Sequence, residues 1–251
     1  MSALSLKSVS KNFGGVIAAD KVDIEVPPGR VTGLIGPNGA GKTTIVNLIT
    51  GMLPLSSGQI FFSGRDISTA GADEISRLGF ARTFQNIRLF KEASVVDNLL
   101  IGFHKHQKSS LLSNILGLPD SRAETADIRK KAFALLEKFG MSRYAEFPAG
   151  SLSYGHQRRV EMMRALAAAP TVLLLDEPVA GMNDVEAGEL GAIFLEIARS
   201  GIAVLLIEHN IRFVTKLCEE IYVLDYGRII ASGPPQKVVK DPAVIAAYLG
   251  T

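Results

Sequence analysis

Cysteine is nearly absent. Cys218 stands alone in 251 residues, which rules out an internal disulfide and suits a reducing compartment. Its neighbours Leu217 and Ile221 mark it as a structural thiol, buried as free cysteines usually are. Long apolar runs are missing as well: none approaches the roughly 18 residues that a membrane-spanning helix needs. Met1-Ser-Ala-Leu-Ser-Leu-Lys7 has no signal-peptide apolar core, so a soluble, cytoplasmic protein is expected. Charge of one sign is scarce too. A net charge of +2 is too small for the electrostatic footprint of a nucleic-acid binder. There are no internal repeats and no low-complexity linker. Apolar side chains are plentiful at 47%, with a mean hydropathy of +0.23, enough for a core that includes a fully buried parallel sheet. The length fits one large domain or one domain carrying an insertion.

The stretch that organises the rest is Gly36-Pro-Asn-Gly-Ala-Gly41-Lys42-Thr43-Thr44, directly after the apolar run Val31-Thr-Gly-Leu-Ile35. It fits G-x-x-x-x-G-K-[ST] between a strand and a helix. Glycines let the backbone turn tightly, so successive N–H groups point inward and cradle phosphate oxygens. Lys42 opens a helix whose positive end faces the same anion, and its ammonium reaches the β- and γ-phosphates. Thr43 offers a hydroxyl to Mg²⁺.

Leu4 to Val9 and Val22 to Val26 alternate as half-exposed antiparallel strands do, with Lys11-Asn-Phe-Gly-Gly15 as a turn between them. Phe13 in that turn either stacks on an adenine or caps the sheet edge from the core; spacing does not separate the two. After the helix Lys42 to Thr50, ended by Gly51, come short strands at Gln59 to Gly64 and Gly79 to Gln85. Gln85 at a strand end can touch Mg²⁺ or an attacking water, though such a glutamine is more often simply solvated. Val95 to about Phe139 reads as helical, with Ile128, Ala132, Leu135, Leu136 and Phe139 at helical spacing and Gly140 closing the run. Within it, His104-Lys-His-Gln-Lys108 leads into Leu111 to Gly117. Histidines two apart make a poor helix-borne metal site, so a solvated loop is expected there ahead of a metal or membrane-surface role.

Leu152-Ser-Tyr-Gly-His-Gln157 precedes a strong helical stretch from Arg158 to Ala168. Ser153 is a natural N-cap, and a helix N-terminus with a free hydroxyl is also an anion site. Val172-Leu-Leu-Leu-Asp176-Glu177 is too short for a helix and ends on two acids; as a buried parallel strand it would set them beside the phosphate loop. Asp176 would hold Mg²⁺ through water, and Glu177 would accept a proton from an attacking water. A helix from about Glu186 to Arg199 leads to a strand from Ile202 to Ile207 and then to His209, which can reach the same crevice from another strand end. The chain closes with strands Ile221 to Asp225 and Ile229 to Ala231, joined by a turn, and a helical tail.

In this order the pieces resemble the nucleotide-binding subunit of ABC transporters along essentially the whole chain. Gly36 to Thr44 is similar to the Walker A motif, Gln85 to the Q-loop, and Leu152 to Gln157 to the signature LSGGQ. Asp176-Glu177 resembles the Walker B pair with its catalytic Glu, His209 the switch histidine, and Phe13 the adenine-stacking aromatic. There are two departures. Tyr154 stands at the first signature glycine, with Ser153 and Gly155 kept, and the D-loop reads Ala180-Gly-Met-Asn183 rather than Ser-Ala-Leu-Asp. Leu-Ser-Tyr-Gly-His-Gln-Arg-Arg, Glu-Pro-Val-Ala-Gly-Met-Asn, Ile-Glu-His-Asn and the terminal Ala-Tyr-Leu-Gly look like branched-chain amino acid importer ATPases. The basic insertion between Gln85 and Ser153 points to the larger of their two ATPase types. The lipopolysaccharide-export ATPase is a close relative that usually lacks this insertion.

The resemblance implies an α/β fold: a RecA-like phosphate-loop ATPase core with an antiparallel β subdomain and an inserted α-helical subdomain. Core and β subdomain would take residues 1–89 and 163–251, and the helical part about 90–162, in one ABC ATPase domain over 1–251. It implies ATP contacts from Phe13, Gly36, Asn38, Gly39, Gly41, Lys42, Thr43 and Thr44, and across a dimer from Ser153, Gly155 and Gln157. Mg²⁺ would fall to Thr43, Gln85 and Asp176, and catalysis to Glu177, His209 and Gln85. The implied partners are transmembrane permease subunits, a second ATPase subunit (the same or different) paired head to tail and, indirectly, a periplasmic or extracellular solute-binding protein. That places the chain peripherally on the inner face of the cell membrane, with the surface from Gln85 to Leu100 expected to dock the permease and no nucleic acid bound. Soluble ABC ATPases of repair carry a long coiled coil and those of translation two ATPase domains, neither of which is present. A small-molecule phosphate-loop kinase would leave Ser153 to Gln157 and His209 idle, and an intact Glu177 argues against a module without catalysis.

Overall fold

The computed structural model describes residues 2–83, 87–103 and 119–249. They fall into two compact units, one built from the segments up to 82, 171–178 and from 187 onward, the other from 83–170 and 179–186. Gln85, the run His104 to Lys108 and the run Leu111 to Gly117 lie outside the described residues.

The first unit holds two sheets. Strands β1 (Leu4–Phe13), β2 (Val16–Val26), β4 (Ser57–Phe62) and β5 (Arg65–Asp66) form an antiparallel sheet in the order β2-β1-β4-β5. Strands β3 (Val31–Ile35), β6 (Phe80–Arg82), β7 (Val172–Asp176), β8 (Ala203–Ile207), β9 (Glu220–Asp225) and β10 (Arg228–Gly233) form the second, in the order β10-β9-β3-β8-β7-β6. It is parallel except for the hairpin that adds β10 at one edge. β3 and β8 are buried at every residue, and β7 at all but its last, as continuous apolar runs require when helices cover both faces.

One core cluster joins the two sheets through helix α1 (Lys42–Ile49). Leu4, Leu6, Ile24 and Val26 of the antiparallel sheet, Ile45 and Ile49 of α1, and Leu34, Leu174 and Leu205 of the parallel sheet all belong to it. Each such side chain contributes about 1.5 to 3 kcal/mol by leaving water. Helix α2 (Ala72–Arg77) adds Ile75 to the same cluster.

Several boundaries differ from the sequence expectation: β4 lies at Ser57–Phe62 rather than Gln59 to Gly64, and the helix expected from Arg158 already starts at Tyr154. The β1–β2 hairpin runs further than Leu4 to Val9 and Val22 to Val26, and its turn shrinks to Gly14-Gly15, both at positive φ. Asn12 Oδ1 closes that turn by accepting from the Gly15 N–H at 3.0 Å. Phe13 is thus a strand residue paired with Val16, not part of a longer loop. β6 stops at Arg82, short of Gln85.

The second unit carries helices α3 (Val95–Phe103), α4 (Pro119–Lys138) and α5 (Tyr154–Ala167). Leu99, Ala132, Leu136, Phe139, Val160 and Met163 are buried there, in keeping with the helical period read between Ile128 and Phe139. Helix α6 (Asp184–Arg199) begins in this unit and ends in the first, where α7 (Ile211–Leu217), α8 (Pro235–Val238) and α9 (Pro242–Leu249) follow. Cys218 caps α7. It is buried, it would lie 3.1 Å from a Cβ at Gly33 of β3, and burial pushes its thiol up to about 12. Among the described residues no helix is long and apolar enough to cross a membrane.

Candidate functional site

Strand register brings the predicted residues of the first unit together. β8 lies between β3 and β7, with Leu34 and Asp176 both in register with Ile207. Gly36, Glu177 and His209 therefore leave the carboxyl ends of neighbouring parallel strands, the edge where open α/β sheets bind ligands.

The phosphate loop is shaped by close backbone approach. A Cβ at Gly36 would stand 2.1 Å from the Leu224 carbonyl oxygen, and one at Gly41 would stand 2.6 Å from the Ala18 carbonyl oxygen. The Gly227 N–H holds the loop by donating to the Ala40 carbonyl at 2.9 Å. Gly36→Ala is expected to lower stability by about 3 kcal/mol, the upper end of overpacking costs, read from urea unfolding of the nucleotide-free protein. Lys42 Nζ donates to the Gly36 and Pro37 carbonyls at 2.7 and 2.9 Å, so the ammonium lies across the mouth of the loop. Burial lowers its pKa, while Glu177 and Asp176 act in the opposite sense. Helix α1 starts from Gly41 with no side-chain cap, which leaves its first N–H groups available to an anion. Asn38, Gly39 and Thr43 are exposed, and Thr44 is half-buried.

Asp176 is paired with Arg82, Oδ2 to Nη2 at 3.0 Å, and the same guanidinium reaches Asn47 Oδ1 at 3.1 Å from Nη1. Glu177 carries a φ of +48°, a conformation that costs a non-glycine residue about 1 to 3 kcal/mol and concentrates at functional sites. Its N–H donates to the Ile207 carbonyl at 2.9 Å, and its Oε1 stands 3.6 Å from His209 Nδ1. His209 is 58% exposed, so its ring is open to a ligand. Glu208 beside it is buried and accepts from the His209 N–H at 3.3 Å.

Phe13 is 46% exposed, with Lys11 Nζ 5.0 Å from its ring centroid, so it does not cap the sheet from the core. Its hairpin reaches the phosphate loop through Ala18, the residue against Gly41.

In the second unit, Ser153 takes the N-cap position of α5 without a side-chain capping bond. The capping role expected of its hydroxyl is lost to a competitor: Oγ lies 3.0 Å from His156 Nδ1. Gly155 is half-buried, and Gln157 Nε2 donates back to the Leu152 carbonyl at 2.8 Å, bracing the turn into the helix. Tyr154 is half-exposed and lies over Gly181, whose Cβ would sit 3.7 Å from the ring; its hydroxyl accepts from Arg158 Nη2 at 2.9 Å. Arg158 is buried and paired with Glu161, whose Oε1 also accepts from the Arg88 N–H, while Arg164 donates to the Arg88 carbonyl. The segment just beyond Gln85 is thereby tied to the signature helix. Asn183, the departure at the D-loop position, caps the start of α6. Its Oδ1 accepts from the N–H groups of Val185 and Glu186, and Glu186 accepts from the Asn183 N–H in return, a capping box.

Sequence reasoning missed Arg82, His156, the Arg158–Glu161 pair and Tyr248. The signals were weak: a lone arginine, a ring at i+3 from a serine, and an i,i+3 charge pair on a helix. Tyr248 on α9 has a buried hydroxyl beside the Gly36 backbone amide, and burial pushes it up to about 12.

Among the described residues no group of three or more His, Cys, Asp or Glu could hold a metal ion. One carboxylate, Asp176, with the Thr43 hydroxyl at the start of α1, fits Mg²⁺, which keeps its waters and binds through one or two carboxylates plus substrate phosphates.

A family model described as ABC transporter matches residues 19–180, and one described as branched-chain amino acid ATP-binding cassette transporter matches residues 228–251. The chain is 38% identical over 248 residues to the high-affinity branched-chain amino acid transport ATP-binding protein LivG of Escherichia coli, covering 98% of this chain and 97% of that protein. It is 37% identical over 254 residues to the probable branched-chain amino acid transport ATP-binding protein LivG of Methanocaldococcus jannaschii, covering 100% and 98%. Among solved structures, the ADP conformation of MJ1267, an ATP-binding cassette of an ABC transporter, aligns with a TM-score of 0.86 at 36% identity, covering 100% of both chains.

Proposed function

The chain belongs to the ABC transporter family as one of its ATP-binding cassettes, and we propose that it binds and hydrolyses ATP to drive import of branched-chain or other hydrophobic amino acids. The observation that carries this reading is likeness over the whole length to amino-acid transport ATP-binding proteins, extending to the C-terminal segment 228–251.

The geometry supplies a mechanism. The N–H groups of the phosphate loop and the ammonium of Lys42 receive the ATP phosphates, exchanging the carbonyl contacts of Lys42 for phosphate oxygens. Phe13 stacks on the base from the hairpin tip. Glu177 accepts the proton of the attacking water, and His209, 3.6 Å from it, contacts the γ-phosphate and orients the acid. Thr43 and Asp176, joined by Gln85, would hold Mg²⁺, which would supply charge neutralisation on the phosphates. Ser153 and Gly155 act on the γ-phosphate held by a second ATPase subunit, so two cassettes pair head to tail and reopen after hydrolysis. The tie between α5 and the segment around Arg88 gives the signature helix a route to the residues beyond Gln85, where a permease subunit docks.

Purification from membranes of the host tests the assignment. Two hydrophobic permease subunits and a second, shorter ATPase are expected in the complex. Recovery with an export permease or with ribosomes would overturn the transport role and leave the ATPase intact.

A further inference from the structure

The reaction above makes no use of the contact between Ser153 and His156. Their Oγ and Nδ1 lie 3.0 Å apart. The imidazole is held on another side by the ring of Tyr144, with centroids 4.7 Å apart and planes tilted by 44°. Charged groups face it from three elements. Arg143 on the turn Ser142–Tyr144 and Arg159 on α5 disfavour a protonated ring, and Glu186 at the start of α6 favours one. Burial is the largest influence, and together they keep His156 below the ordinary histidine value, so the ring is neutral at about pH 7.

We infer that His156 is a positioning residue that decides whether Ser153 can give its hydroxyl proton to a phosphate. A neutral imidazole protonated at Nε2 presents Nδ1 as an acceptor, so Ser153 spends its proton on His156 and turns only lone pairs outward. Lone pairs repel phosphate oxygens. A ring protonated at both nitrogens donates from Nδ1 to the Ser153 oxygen instead. That frees the serine proton for the γ-phosphate and sets a cation behind the serine. No covalent bond is made or broken: the ring takes one proton from solvent as the phosphate arrives and returns it when the phosphate leaves. The anion raises the resting pKa, so pairing takes up protons and tightens as pH falls. The inference rests on the head-to-tail pairing proposed above.

The test uses Glu177→Gln protein, alone and with the second ATPase subunit recovered from membranes, and follows ATP-dependent pairing by sedimentation between about pH 5.5 and 8. The pairing constant is expected to strengthen on acidification, approaching but not exceeding about tenfold per pH unit for each proton taken up. Adding His156→Gln, whose amide donates to Ser153 at every pH, should preserve pairing and flatten the profile. An unchanged profile in that variant would overturn the role of His156 and leave the pairing standing. Absence of pairing at every pH would overturn the head-to-tail reading and this inference with it. Nitrogen NMR of His156 gives a check that needs no pairing: the Nε2-protonated tautomer is expected in the unpaired protein, and the Nδ1-protonated neutral form would refute the inference.

Discussion

Lys42→Ala is expected to raise the dissociation constant for ATP by at least about a hundredfold, close to 3 kcal/mol. The ammonium can no longer make charge-assisted bonds to the β- and γ-phosphates, each worth roughly 1.5 to 3 kcal/mol. The bonds from Lys42 to the Gly36 and Pro37 carbonyls at 2.7 and 2.9 Å are given up when ATP binds, so their loss falls on the nucleotide-free loop and does not enter the affinity change. Alanine makes this a clean test because Lys42 is the first residue of α1, where alanine keeps the helix. Equilibrium dialysis with labelled ATP reads the affinity, and thermal unfolding without nucleotide reports whether the fold survives. Unchanged affinity in a folded variant would reject the phosphate-loop assignment.

Glu177→Gln is expected to lower hydrolysis by about a thousandfold, within the range removed with a general base, while ATP binding persists. The amide matches the carboxylate in shape and leaves the φ of +48° and the bond from its N–H to Ile207 in place, so binding and chemistry separate. It also deprives His209 of the anion 3.6 Å from its Nδ1. Such a protein should hold ATP through closure and fail to reopen. Single-turnover assays with radiolabelled ATP, run beside nucleotide retention on a gel-filtration column, measure both halves. Ordinary turnover would mean that another group takes the proton.

How far the sequence reached depends on how local each interaction is. The strands that end in Ile35, Asp176 and Ile207 could be read directly, because a buried parallel strand needs an unbroken apolar run and its carboxyl end is where the motif residues stand. The pairing of Asp176 with Arg82 could not, since 94 residues separate them and only the β6–β7 register makes them neighbours. Phe13 illustrates a different limit. Alternation along a strand cannot say whether an aromatic at the hairpin end is covered, and here the tight Gly14-Gly15 turn leaves it half in solvent. Ser153 fits the capping rule by position and departs from it by chemistry. The rule counts backbone donors, whereas the ring of His156 three residues on bids for the same hydroxyl. The positive φ of Glu177 leaves no trace in composition at all.

Cys218 has a practical consequence. Being the single thiol of the chain, buried at the end of α7 against β3, it is a built-in clock for motions of the parallel sheet. A thiol reagent can reach it only when that region opens, so its labelling rate under native conditions counts openings around the strand that leads into the phosphate loop. If those openings dismantle the loop, saturating nucleotide should slow the clock by the ratio of nucleotide concentration to dissociation constant. If they spare the loop, the clock should keep its pace.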